Sequence, residues 1–105
     1  MTVITYDTES FQINIEGHAG FAEVGKDIVC AACSCLSQTL VEAVSSEEDF
    51  AATVYINSHD AQVYVRCIPL TEARDKCRTV MDTIYTGFAV LAEQYPEYVS
   101  LKKEN

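Results

Sequence analysis

A chain of 105 residues, 49% of them apolar or aromatic, is the size of one ordinary domain and can fill one core without disulfide staples. Its net charge of −9 argues against a nucleic-acid footprint, which needs clustered Lys and Arg. No run approaches the ~18–20 apolar residues of a membrane span, and the opening "MTVITYDTES" lacks a basic-then-apolar signal, so a cytoplasmic protein with no membrane partner is expected. Five cysteines is an odd number in no secreted-scaffold pattern, which leaves at least one thiol unpaired.

The chain reads as a single domain over 1–105, without repeats or linkers. "MTVITYD" is rich in β-formers, and "FQINIEG" alternates Phe11, Ile13 and Ile15 with Gln12, Asn14 and Glu16, which predicts two strands joined by a tight turn near Thr8–Ser10. A glycine-bearing loop from Gly17 to Lys26 follows. From Asp27 to about Ser45 the spacing predicts a helix whose apolar stripe is Val29, Ala32, Cys33, Leu36, Leu40, Ala43 and Val44, with "SSEED" ending it. "FAATVYIN" and "AQVYVRC" alternate as a hairpin about Ser58–Asp60, with Phe50, Ala52, Val54, Ile56, Ala61, Val63, Val65 and Cys67 on one face. After Pro69, Thr71 is the expected N-cap of a second helix with stripe Ala73, Cys77, Val80, Ile84, Phe88, Leu91 and Tyr95, stopped by Pro96. "EYVSL" can add a final strand. The order is ββαββα(β), an α+β two-layer sandwich: a mostly antiparallel sheet with two helices on one face. The other face would carry Tyr55, Tyr64, Thr53 and Arg66, and an uncovered aromatic face of this kind suggests a homodimer contact.

The chemistry concentrates in "GHAGFAEVGKDIVCAACSC", residues 17–35, which holds one of two histidines and three of five cysteines. On the helix wheel these three thiols diverge. Cys33 falls in the apolar stripe, Cys35 on the far side, and Cys30 on the flank shared with Ser34 and Ser37. A zinc site needs four ligands converging on one centre, so no metal is expected, nor any cofactor. "CAAC" at a helix start has the local form of a thiol oxidoreductase pair, Cys30 and Cys33, but an antiparallel hairpin precedes it rather than a parallel βαβ unit.

As a nucleophile, Cys30 is well placed. With Asp27 as N-cap it is the third helical residue, near backbone N–H groups that lack intrahelical partners. A helix terminus contributes roughly 0.3–1 kcal/mol, whereas lowering a thiol from about 8.5 to about 6 takes roughly 3.4 kcal/mol, so a cationic neighbour is required. His18, between Gly17 and Gly20, is the candidate; spacing permits the contact without forcing it.

"GHAGFAEVGKDIVCAACS" resembles the signature of the bacterial ribosomal processing cysteine proteases, the Prp family, in its Gly-His-Ala, its glycine-containing loop and its Asp-Ile-Val-Cys-Ala-Ala followed one residue later by Ser. Element order and length fit as well. The resemblance implies a homodimeric cysteine endopeptidase that removes the N-terminal extension of a large-subunit ribosomal protein. By position it implies His18 as catalytic histidine and Cys30 as nucleophile, with Gly17, Asp27 and Ser34 at the remaining motif positions. Cys33 stands where an aliphatic residue is common, and Cys35 has no counterpart. On this reading backbone N–H groups at the helix start meet the oxyanion. Asp27 serves as cap or orients His18, and Ser34 donates to substrate, fixes the thiol, or bonds back to its own helix. The loop with Gly20, Phe21, Val24 and Gly25 reads either as a lid over an extended peptide or as a plain connector whose Phe21 packs on the core. His59 is expected to face solvent, and Cys67 and Cys77 to lie in the core. The alternatives are a non-catalytic ribosome-associated dimer and the Cys30/Cys33 oxidoreductase.

Overall fold

Period-two alternation in four runs and a 3.6-residue stripe in two produce the expected architecture. The computed structural model describes residues 1–23, 25–45, 52–59 and 61–104. Strands β1 (Thr2–Asp7) and β2 (Gln12–Glu16) precede helix α1 (Ile28–Val44). Strands β3 (Ala52–His59) and β4 (Gln62–Pro69), helix α2 (Arg74–Gln94) and strand β5 (Val99–Glu104) follow. The expectations for Val24, for the run at 46–49, for Phe50 and for Asp60 lie outside the described residues, as do the side chains of Ala52, Thr53, Val54, Ile56 and His59.

The strands form one sheet in the order β3-β4-β2-β1-β5. All neighbours are antiparallel except β1 and β5, whose parallel register sets Ile4 beside Leu101. Asp7 closes the first turn by accepting the N–H groups of Glu9 and Ser10 at 3.1 and 3.3 Å. Phe11 leaves that turn in the left-handed region (φ 53°) yet is buried, with the Arg78 and Arg74 guanidinium groups 5.0 and 5.6 Å from its ring centre.

Both helices cover the face that carries Ile4, Tyr6, Ile13, Ile15, Val65 and Cys67. Val29, Cys33, Leu40 and Val44 of α1 close one side of this core, and Cys77, Met81, Ile84 and Phe88 of α2 the other. Each large apolar side chain fully buried here is worth roughly 1.5–3 kcal/mol. Tyr6 donates its hydroxyl to Asp82 Oδ1 at 2.6 Å, so the buried ring keeps its polar end paired. Cys67 and Cys77 are in the core as expected; the hydrogen bond they share, then burial, push the Cys67 thiol up.

Some local expectations change. Thr71 is not the N-cap of α2: it opens a 3-10 turn (Thr71–Ala73) whose own cap position is Leu70. A first turn of tighter 3-10 geometry, common at helix starts, leaves buried Ala73 at the cap position, so α2 proper starts at Arg74. Met81 replaces Val80 as the fully buried residue of the α2 stripe, with Val80 at its margin. In α1 Ser37 is buried, its hydroxyl donated to the Cys33 carbonyl at 2.8 Å, which is how a polar side chain sits inside an apolar stripe. The open face carries exposed Tyr55 and Arg66, while Tyr64 donates its hydroxyl to Gln12 Oε1 at 2.6 Å.

Candidate active site

The start of α1 is organised by a single carboxylate. Asp27 has extended backbone (φ −87°, ψ 98°) and accepts the Cys30 N–H on Oδ1 at 2.8 Å. Its other oxygen, Oδ2, accepts the N–H groups of Phe21 and Ala22 at 2.9 and 3.2 Å. The Cys30 N–H above all, then the loop N–H groups, hold this carboxyl below its ordinary range. Asp27 is therefore the N-cap and also the tether of the glycine loop. The expectation of free N–H groups for an oxyanion is corrected in one respect: the Cys30 N–H is engaged by the cap. A carboxylate this near also opposes negative charge on Cys30, which strengthens the need for a cation.

Gly17 sets the position of His18. Its φ of +95° lies where side chains are disfavoured, and a Cβ there would come closer than 3.0 Å to the Met1 carbonyl oxygen. Its N–H donates to the Ala61 carbonyl at 2.7 Å, tying the end of β2 to the β3–β4 turn. Ala19 beyond is buried. His18, held between these anchors, is exposed, and Cys30 in the first turn of α1 is half-buried.

His18 and Cys30 both line the same two cavities. The first, about 440 Å³, runs between α1 and the end of the β3–β4 hairpin and is lined by Cys33, Ser37, Ser58 and Val63 together with His18, Cys30 and Ser34. The second, about 560 Å³, lies beneath the glycine loop, lined by Gly20, Ala22, Gly25, Asp27 and Ile28 with the same His18, Cys30 and Ser34. Those three shared residues stand at the junction, with an arm of cleft on either side. That layout suits an extended chain laid across a thiol, with a titratable imidazole on the same wall.

Phe21 packs edge-on against Tyr95 and Tyr98, with ring centres 5.6 and 5.2 Å apart. Gly20 and Gly25 line the second cavity. The expected divergence of the thiols holds for Cys35, which is exposed, but not for the other two: Cys30, half-buried, and Cys33, buried so that its thiol is pushed up, both reach the first cavity. Among the described residues no three His, Cys, Asp or Glu side chains gather as a metal site would require.

Thr2, Ser58 and Val63 are wall residues that sequence reasoning did not single out. They belong to strands distant in the chain, and nothing in their local pattern marks them; only the sheet order brings them to α1.

The family model described as "Cysteine protease Prp" matches residues 1–100 of this chain. No curated protein matches it. Among solved structures it is similar to the essential ribosomal processing protease Prp from S. aureus, in complex with a covalently linked product peptide (TM-score 0.78, 21% identity, 99% of this chain and 100% of that one). The same S. aureus protease with a substrate peptide gives TM-score 0.72 at 23% identity, covering 98% and 97%. SMU.848 from Streptococcus mutans gives TM-score 0.67 at 28% identity, covering 97% and 90%. At such identities the S. aureus structures speak for the fold.

Proposed function

The chain belongs to the cysteine protease Prp family, and on that premise we propose that Cys30 is its nucleophile, His18 its base, and the N-terminal extension of a large-subunit ribosomal protein its substrate. One observation supports the dyad most directly: His18 and Cys30 line both cavities, at the point where these meet. The substrate class is suggested by the S. aureus relatives, described as ribosomal processing proteases and bound to peptide.

The chemistry follows from the parts. His18 takes the Cys30 proton, the thiolate attacks the scissile carbonyl, and the imidazolium returns the proton to the leaving amine. Water, deprotonated by the same imidazole, then cleaves the thioester and frees the thiol. The oxyanion needs backbone N–H donors at the start of α1, and the Asp27 carboxylate must release the Cys30 N–H for that group to serve. Ser34, at the junction of the cavities, donates its hydroxyl to substrate in this scheme. Gly20 and Gly25, which line the second cavity, act as the lid, while Phe21 lines neither cavity and instead anchors the loop against Tyr95 and Tyr98, a correction to its expected place over the peptide. No metal or cofactor takes part. The protein works as a cytoplasmic homodimer joined through the open sheet face around Tyr55, and its acidic surface disfavours direct nucleic-acid binding.

The test is cleavage of a peptide spanning the extension and the mature start of the ribosomal protein. Cys30→Ala should abolish turnover, and His18→Ala should lower kcat/KM by about 10²–10⁴, both variants melting as the parent does. Persistent cleavage by Cys30→Ala would end the proposal.

A further inference from the structure

The nucleophile proposed for this chain has a second thiol on the same wall. Cys30 and Cys33 both line the first cavity, although Cys33 is otherwise only 5% exposed. Three residues apart on one helix, they occupy adjacent flanks that both reach this cavity, with Cβ atoms about 5–6 Å apart. A disulfide needs Cβ atoms about 3.5–4.5 Å apart, so closure requires tightening by about 1–2 Å. The Cys30 N–H is held by the Asp27 side chain rather than by a backbone carbonyl, and the Ala31 N–H bond to Asp27 O at 3.0 Å follows it. The other thiols offer Cys30 no such partner. Cys67 and Cys77 are sealed in the core, 1% and 0% exposed, and Cys35 is exposed on the far side of α1.

We propose that Cys30 and Cys33 form a peroxide-responsive dithiol site, in which oxidation of Cys30 is captured by Cys33 as a disulfide that reductant reverses. Its consequence for activity rests on Cys30 being the nucleophile; its chemistry does not. The Cys30 thiolate attacks the O–O bond of a hydroperoxide: an S–O bond forms, the O–O bond breaks, and hydroxide (or alkoxide) leaves. Cys30 is oxidised by two electrons to a sulfenic acid and the peroxide is reduced. The Cys33 sulfur then attacks the sulfenyl sulfur. An S–S bond forms, the S–O bond breaks, and the departing hydroxide takes the Cys33 proton as water. A dithiol reductant returns the two electrons by thiol–disulfide exchange. Without Cys33, further peroxide carries the sulfenic acid to a sulfinic acid, which such reductants do not reverse. The cavity shared by the two thiols gives peroxide and reductant a common way in.

The experiment uses the full chain in a Cys35→Ser background, so that the segment holds only these two thiols. Protein is exposed to hydrogen peroxide, quenched with catalase and mapped by mass spectrometry, and cleavage activity is read before and after dithiothreitol. The expected result is an intrachain Cys30–Cys33 disulfide with nearly full recovery of activity. Cys33→Ala and Cys33→Ser should instead show Cys30 sulfinic acid and on the order of tenfold less recoverable activity. Two variants guard against one that folds poorly, and the disulfide in the parent is decisive without either. Sulfinic acid at Cys30 in the parent with no disulfide would overturn the proposal. A disulfide in the parent together with persistent cleavage by Cys30→Ala would instead keep the dithiol site and reject Cys30 as nucleophile.

Discussion

Gly17→Ala is the most informative single change outside the proposed dyad, because its cost can be separated from that of a neighbouring glycine. Gly17 and Gly20 both have positive φ, +95° and +73°, so either substitution pays for a left-handed backbone, about 1–2 kcal/mol. Only Gly17 adds a collision: its Cβ would meet the Met1 carbonyl oxygen, while that of Gly20 meets nothing within 4 Å. Relieving the clash means shifting the start of β1 or the end of β2, about 1–3 kcal/mol for overpacking of this kind. The Gly17 variant should therefore lose about 2–5 kcal/mol and the Gly20 variant about 1–2. For a domain near 100 residues, where about 1 kcal/mol moves Tm by about 4–8 °C, thermal melts resolve the two. The shift also passes to His18 next in sequence, and if His18 is the proposed base, a displacement of about 1 Å there costs about 10²-fold in rate. Peptide cleavage by folded protein reads that second effect. Equal losses of Tm in the two variants would refute the reasoning, as would full activity in Gly17→Ala with the melt lowered as expected.

Two further outcomes test the polar anchors. Asp27 has its carboxyl held low by the Cys30 N–H and then the loop N–H groups, so its stabilisation is complete above its unfolded value near about 3.9 and drains away as pH falls through the lower folded one. Asp27→Asn should flatten that acid limb of the Tm–pH curve and speed hydrogen exchange at the Phe21 and Ala22 amides; an unchanged limb with unchanged exchange contradicts the tether. For Tyr6, burial and then the bond to Asp82 raise the phenol well above its ordinary value near about 10, so the stability it supplies is intact below that pH and lost as pH rises beyond it. Tyr6→Phe should flatten the alkaline limb while costing about 1 kcal/mol at neutral pH, measured by urea unfolding, and a limb as steep as the parent's would count against a raised phenol.

The strands and helices were legible because their patterns are strictly local. Ile13 and Ile15 against Gln12 and Asn14 can only be a half-buried strand, and Val29, Cys33, Leu40 and Val44 share one side of a helix whatever lies opposite. Where a pattern has two equivalent readings, the structure chose. Thr71 is a sound cap by residue type, but the chain leaving Pro69 tightens into a 3-10 turn instead. Ser37 looks polar by type and is buried because its hydroxyl bonds back to Cys33. Asp27 was readable as a cap, since capping acts within three residues; its hold on Phe21 and Ala22 was not, because the path of the glycine loop is set by φ values at Gly20 and Gly25 that composition does not specify.

The amino-acid order by itself determined the ββαββα(β) succession, the inward faces of β2 and α1 through Ile13, Ile15, Val29, Leu40 and Val44, and the separation of Cys35 from Cys30 and Cys33, since each depends on backbone periodicity over a few residues. Tertiary structure alone decided that His18 and Cys30 share a cleft, that Thr2, Ser58 and Val63 wall it, and that β5 lies parallel to β1. Those relations join residues far apart in the chain. Their closeness comes from how the sheet and helices bury their apolar sides together, which no local pattern records.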